Sequence, residues 1–269
     1  SQPGSNPTEI FFATTTSGLV SYSWETIPAG SSGTGTFSSG NTIINGLPAN
    51  ATIRLKINPL NFYRIQINGA FVSDAKRLID VEQWGTVTWS SMEFAFADCE
   101  HLNITATDLP NLNSATTMRN MFWGCSSLNG PSNINNWNTS LITDMYGLFT
   151  NATQFNQPIG NWNTSNVLNM MGMFFNAQSF NQPIGNWNTG MVTDMSIMFT
   201  QASSFNQSLN TWNTANVTAM RSMFDGAFVF NSAIGNWNTA NVTDMSYMFQ
   251  NALSFNQAIG NWNTSHLTL

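Results

Sequence analysis

Charge is scarce in this chain. Only 7% of its 269 residues are Asp, Glu, Lys or Arg, where about 25% is usual in a globular domain. The net charge is −6, and beyond residue 100 the only cations are Arg119 and Arg221. A nucleic-acid interface needs a basic stripe, and an anionic membrane surface needs clustered Lys or Arg, so neither partner fits. Cys99 and Cys125 are the only cysteines, which argues against a disulfide scaffold. His101 and His266 are the only histidines, and neither stands in a metal-type spacing with Cys or carboxylates. No nucleophile elbow, P-loop or dinucleotide phrase occurs. No run of about 18 apolar residues is present to span a membrane, and no signal peptide is visible. The opening SQPGSNPTE is polar and flexible, as a mature N-terminus after cleavage would be. The expectation is a non-enzymatic protein with no cofactor, no metal, no nucleic-acid partner and no membrane insertion.

What the chain has is a repeat. Trp137, Trp162, Trp187, Trp212, Trp237 and Trp262 return every 25 residues, inside a phrase that reads NWNTANVTDMSYMFQNALSFNQAIG over 236–260. A period of this size signals stacked units, each buried by its neighbours. With Trp as position 1, apolar residues recur at 6, 9, 12, 13, 16, 19 and 23. In one copy these are Val167, Met170, Met173, Phe174, Ala177, Phe180 and Ile184. The run from 6 to 16 has the spacing of one helical face, and the Thr at position 3 can cap it. The spacing predicts a short helix near 166–177 and a short strand near 183–187. The fold class follows as an α/β repeat solenoid, leucine-rich-repeat-like, with one strand and one helix per turn. Stacked strands would form a parallel ribbon at about 4.8 Å per rung.

The repeat decays backwards. MRNMFWGCSSL (118–128) matches the phase of DMYGLFTNATQF (144–155), and MEFAFADCEHL (92–102) precedes it by 26 residues. The array therefore occupies 76–269, about seven turns. Residues 1–75 lack the period and alternate instead: EIFFATTT, GLVSYSWE, NTIING, ATIRLKI and FYRIQING. They read as a small antiparallel β domain that caps the array. At the other end the sequence stops at SHLTL, where a helix is expected. His266, Leu267 and Leu269 form a candidate assembly interface there, on the expectation of either a longer array or a cover supplied by another molecule.

The repeat phrase at Trp137, Trp162, Trp187, Trp212 and Trp237 resembles the repeat, about 26 residues long, of bacterial surface proteins and lipoproteins related to BspA-like leucine-rich repeats. The stretch 80–112 resembles the opening segment of that family's array. β domains of polycystic-kidney-disease type with a DWGDGT phrase often precede such arrays. The nearest phrase here is SWETIPAG (23–30), which lacks the acidic turn. The resemblance implies a secreted or surface-displayed, non-enzymatic protein and no particular ligand.

The candidate ligand-binding residues are the six tryptophans. If Ile184 points inward, strict pleating puts Trp187 outward, and the column would make an exposed aromatic strip about 24 Å long, suited to a glycan or a protein. A bend at Gly185 would instead turn the ring into the core. The Met columns (Met170, Met173 and equivalents) read as core. The Thr column (Thr139, Thr164, Thr189, Thr214, Thr239, Thr264) offers a minor alternative, since regular Thr ladders on flat solenoids bind ice, but it is a single column and sits where a helix cap is needed. Asp144, Asp194 and Asp244 share one position that Asn169 and Ala219 interrupt, so they read as surface decoration rather than a calcium column. Cys99 and Cys125 share the position that carries Ala in later copies. They are either two buried thiols or a disulfide between adjacent rungs. Two functions follow as expectations. One is adhesion or recognition of a protein or glycan at the cell exterior. The other is end-to-end polymerisation with copies of itself into a filament or layer.

Overall fold

A computed structural model describes residues 5–68 and 73–268. Six antiparallel strands come first: β1 (Ile10–Thr16), β2 (Val20–Ile27), β3 (Ser32–Phe37), β4 (Gly40–Ile44), β5 (Thr52–Ile57) and β6 (Phe62–Gln66). They form two three-stranded sheets, ordered β4-β1-β6 and β3-β2-β5. The alternation of apolar residues places Phe12, Val20, Phe37, Ile44 and Phe62 in one buried core. The run SGTGTF carries no apolar alternation, yet it forms β3. Its glycines make room for β2: a Cβ on Gly33 would lie 2.7 Å from Trp24 Nε1.

From residue 80 onward the chain winds into stacked coils. The first contact is the two-residue parallel pair β7 (Asp80–Val81) with β8 (Asn103–Ile104). Isolated parallel bridges then link Thr117, Asp144, Asn169, Asp194, Ala219 and Asp244 in succession. Alongside them runs a backbone ladder. In one rung Met145, Gly147, Phe149 and Asn151 N–H donate to Asn169, Met171, Met173 and Phe175 O, at 2.8–3.0 Å. The same four donors recur in each following coil through Gly226.

The coils contain no helix, which overturns the α/β reading. The only helical segments among the described residues are two three-residue 3₁₀ turns, Ala75–Arg77 and Ile134–Asn136. Over 166–177, where the helix was expected, the chain makes successive turns closed by i→i−3 bonds, such as Met173 N–H to Met170 O and Ala177 N–H to Phe174 O. The expected strand at 183–187 is absent too, and Trp187 N–H closes a turn onto Ile184 O at 3.2 Å. A helix is impossible here because positions 11 and 15 are left-handed in every coil, as at Gly147 (φ 58°), Asn151 (φ 58°), Gly172 (φ 63°) and Asn176 (φ 54°). Each break frees amides that the next coil satisfies.

Inside, like residues stack on like. Phe174 lies 5.5 Å from Phe199 with rings 8° apart, and Phe199 lies 5.6 Å from Phe224. The sheets and the coils share one core, through Phe62 against Trp89 at 5.6 Å. At that seam β6 docks on the coil at 92–98: Ile67 N–H donates to Ala95 O, and Arg64 pairs with Glu93 at 2.9 Å.

Candidate interaction face

The repeat's polar residues first have to be assigned to the fold or to the surface. Asn at position 2 closes a local turn in every coil. Asn163 Oδ1, for example, accepts from Ser165 N–H at 3.0 Å. Thr at position 3 is buried, with Thr139, Thr164, Thr189, Thr214 and Thr239 each 1% exposed. Its hydroxyl donates to the next coil's Asn carbonyl, as Thr164 does to Asn188 O at 3.0 Å. That bond takes these five threonines off the surface, while Thr264 in the last coil is exposed. Asn at position 20 forms a ladder, in which Asn181, Asn206, Asn231 and Asn256 N–H each donate to the Asn Oδ1 one coil back. Gln at position 21 donates to the same acceptors. These contacts account for the FNQ phrase without any ligand.

The tryptophan column is core, which corrects its candidacy as a binding strip. Trp137, Trp162, Trp187, Trp212 and Trp237 are only 3–4% exposed, and Trp262 is half-buried. Five of the indoles donate Nε1–H to a carbonyl 28 residues back: Ile134, Ile159, Ile184, Leu209 and Ile234, at 2.8–3.2 Å. Each ring is turned inward and held there by its neighbour coil. The expectation of pleating fails because no strand exists at that place.

Cys99 and Cys125 are buried and unbonded, which sets aside the disulfide alternative. Burial pushes both thiols well above their ordinary range. Cys125 Sγ donates to Phe96 O at 3.1 Å. Of the proposed assembly residues, His266 is exposed and Leu267 half-buried, while Leu269 lies outside the described residues. Among the described residues no group of three His, Cys, Asp or Glu side chains is placed to hold a metal.

The remaining repeat positions, 8, 10, 11, 14 and 15, lie along the backbone ladder, and some of them also bond between coils, as Thr150 Oγ1 does to Gly172 O and Asn176 Nδ2 to Asn151 Oδ1. Six rows of this ribbon follow the coil that docks on β6: 117–124, 144–151, 169–176, 194–201, 219–226 and 244–251. Every charged side chain beyond Asp108 stands on it: Arg119, Asp144, Asp194, Arg221, Asp225 and Asp244. Both arginines occupy position 10, and each covers a tyrosine of the next row. Arg119 sits 3.9 Å above the Tyr146 ring and Arg221 5.9 Å above Tyr247. Trp123, Tyr146, Met171, Phe175 and Ile197 are half-buried on the same ribbon, and Tyr247 is 60% exposed.

The position 8 residue also shapes the local backbone. The side chains of Asp144, Asn169, Asp194 and Asp244 each accept the N–H two residues on, at 2.8–2.9 Å. Ala219 gives up that bond. The hydroxyl and N–H of Ser246, together with the charge of Arg221, hold the Asp244 carboxyl below the usual carboxylate range. Arg119 pairs with Asp144 at 3.4 Å, whereas Arg221 makes no ion pair among the described residues.

The ribbon also carries strain. Ile197 (φ 51°) and Tyr247 (φ 59°) occupy the left-handed position 11, where Gly147 and Gly172 sit in other rows. A β-branched or bulky residue there is a genuine outlier. These side chains were not legible as a set beforehand, because positions 10, 11 and 14 vary from copy to copy. The departure of Ile197 and Tyr247 from Gly and Asn was the available signal.

A family model described as Mycoplasma protein of unknown function, DUF285, matches residues 90–209 and 183–269, together about two thirds of the chain. The chain belongs to this family. No curated protein and no solved structure matches it. In this DUF285 chain the match opens at the coil on which β6 docks, so the two small sheets lie outside it. No helix among the described residues is long and apolar enough to cross a membrane.

Proposed function

We propose that this DUF285 protein is a non-enzymatic recognition module, secreted or displayed at the cell surface, that holds a protein or glycan on its ribbon face. The carrying observation is that every charged side chain beyond Asp108 stands on that face, so the other sides of those coils carry none. Half-buried aromatics interleave with those charges, and Ile197 and Tyr247 are kept at a strained backbone position. Strain of this kind clusters at binding and switching sites. The likeness of the repeat phrase to BspA-like surface repeats supports the same reading. End-to-end polymerisation has less support, because coil-on-coil stacking needs a free coil face at both ends. The two sheets cover the first coils through Ile67, Arg64 and Phe62.

The test is binding to a panel of immobilised glycans and purified extracellular proteins. Phe175→Ser is expected to weaken any ligand at least about tenfold, with a melting transition that stays cooperative although the half-buried ring is lost. Equal binding by the wild type and by Phe175→Ser, Arg221→Ala and Tyr247→Asn would place the contact elsewhere on the molecule.

A further inference from the structure

The coils dock on the β5 and β6 side of the two small sheets. Arg54 on β5 reaches Glu82, Ser90 N–H donates to Tyr63 O on β6, and Ile67 N–H donates to Ala95 O. The opposite edge of the sheet β3-β2-β5 is β3. The bond from Thr26 N–H to Ser31 O, at 2.9 Å, sets the phase of the β2–β3 pair. Hydrogen-bonded and open pairs alternate along an antiparallel ladder, so Gly33 and Gly35 spend their backbone groups on Trp24 and Tyr22. Ser32, Thr34 and Thr36 turn theirs outward, and these find no backbone partner among the described residues. Folded proteins guard such an edge with charge, proline, a bulge or brevity. β3 has six residues, an unbroken register and no proline, and the sequence carries no charge between Glu25 and Arg54.

The edge is also shaped for its own copy. The rings of Trp24 and Tyr22 extend across β3, into the space that side chains at Gly33 and Gly35 would fill. The indole N–H is a donor and the phenol oxygen can accept, and neither has a partner among the described residues. If Thr34 lies opposite Thr34 of a second copy, Gly33 lies opposite Gly35 of that copy. Trp24 Nε1–H of each chain then stands about one strand spacing, 4.8 Å, from Tyr22 Oη of the other, a gap that a ring rotation or a bridging water closes. This match of donor to acceptor occurs twice about the two-fold axis, as an isologous contact requires. Ser32, Thr34 and Thr36 exchange N–H and C=O across the seam, and on the outer face their hydroxyls form cross-strand pairs. Other registers fail. An axis at Gly33 sets the two indole donors against each other, and an axis at Gly35 sets each indole N–H against Phe37. A slip of one residue sets the outward amides against glycines already paired to β2.

We propose that β3 pairs antiparallel with β3 of a second copy of this chain, joining two three-stranded sheets into one continuous sheet. The proposal stands apart from the ribbon reading, which a monomer would leave intact.

Thr34 supplies the test, because its side chain is exposed and would lie on the two-fold axis. Sedimentation equilibrium from micromolar to millimolar protein is expected to show a monomer–dimer equilibrium for the wild type. Thr34→Lys and Thr34→Asp each set like charges face to face and should weaken the dimer at least about tenfold. An equimolar mixture of the two variants should dimerise again, since opposite charges then meet. Circular dichroism melting confirms that each variant folds. A wild type that stays monomeric overturns the proposal and leaves the edge to an extended strand of another protein. Variants that dimerise like the wild type, or a mixture that stays monomeric, overturn it as well.

Discussion

At the scale of single residues, this protein is governed by which side chains tolerate a left-handed backbone. Position 11 is Gly147 and Gly172 where the ribbon is bare, and Ile197 and Tyr247 where it is decorated. Holding a residue with a Cβ in that region costs about 1–2 kcal/mol. Tyr247 recovers little of this by packing, since it is 60% exposed, and its contact with Arg221 at 5.9 Å is worth about 0.5 kcal/mol. Tyr247→Asn is therefore expected to raise stability by roughly 0.5–1 kcal/mol, because Asn accepts the left-handed region more readily. Denaturant unfolding reads the sign. A loss of stability would mean that the ring makes contacts beyond Arg221.

At the scale of the coil, the sequence was legible in its facing and misleading in its secondary structure. The apolar residues at positions 9, 12, 13 and 16 do point inward, as Met170, Met173, Phe174 and Ala177 do with 0% exposure. Their three-and-four spacing is produced by successive β-turns instead of a helix. The contrary signal was present, since Gly or Asn at positions 11 and 15 of adjacent copies sits four residues apart and breaks any helical run. It was outweighed because the inter-coil bonds that reward such breaks have no local trace in a sequence. The tryptophans test the coil directly. Trp187 donates to Ile159 O at 3.1 Å, while buried Trp137 Nε1 has no partner. Both Trp→Phe changes lose similar ring volume, but only Trp187→Phe removes an indole hydrogen bond, leaving Ile159 O with the Trp162 N–H alone. Trp187→Phe should destabilise by about 0.5–1.5 kcal/mol more than Trp137→Phe. Equal losses in thermal unfolding would show that the column is held by packing alone.

At the scale of the whole molecule, two different constructions share one core, and a few ion pairs lock their seam. Arg54 on β5 reaches Glu25 on β2 at 3.0 Å and Glu82 beyond β7 at 2.6 Å. Hydrogen bonds from Arg54 hold both carboxyls below their ordinary range. A lowered folded value means that the stabilisation is complete above the ordinary carboxylate range and disappears as pH falls through the lowered value. Melting temperature should stay flat on mild acidification and then drop, with a shallower drop in Arg54→Met. Parallel curves for the two proteins would assign the acid sensitivity to other groups. The strand region was largely legible from its alternation, except β3, whose glycines conceal it. The position of the charged face was half legible: the acids share a visible repeat position, but only the stacked coils show that both arginines join them.

The ladder of Asn156, Asn181, Asn206, Asn231 and Asn256 advances by 25 residues per contact. Chain length is thereby quantised: excising residues 169–193 removes one whole rung and joins Leu168 to Asp194 in the phase where Leu168 met Asn169, whereas a length that is not a multiple of 25 shears every column at once. That excision also sets Asp144 beside Asp194 on adjacent rungs, while removing 169–218 sets Asp144 beside Ala219 instead. A lineage of such proteins would then grow and shrink by whole rungs, the one step that keeps every column in phase.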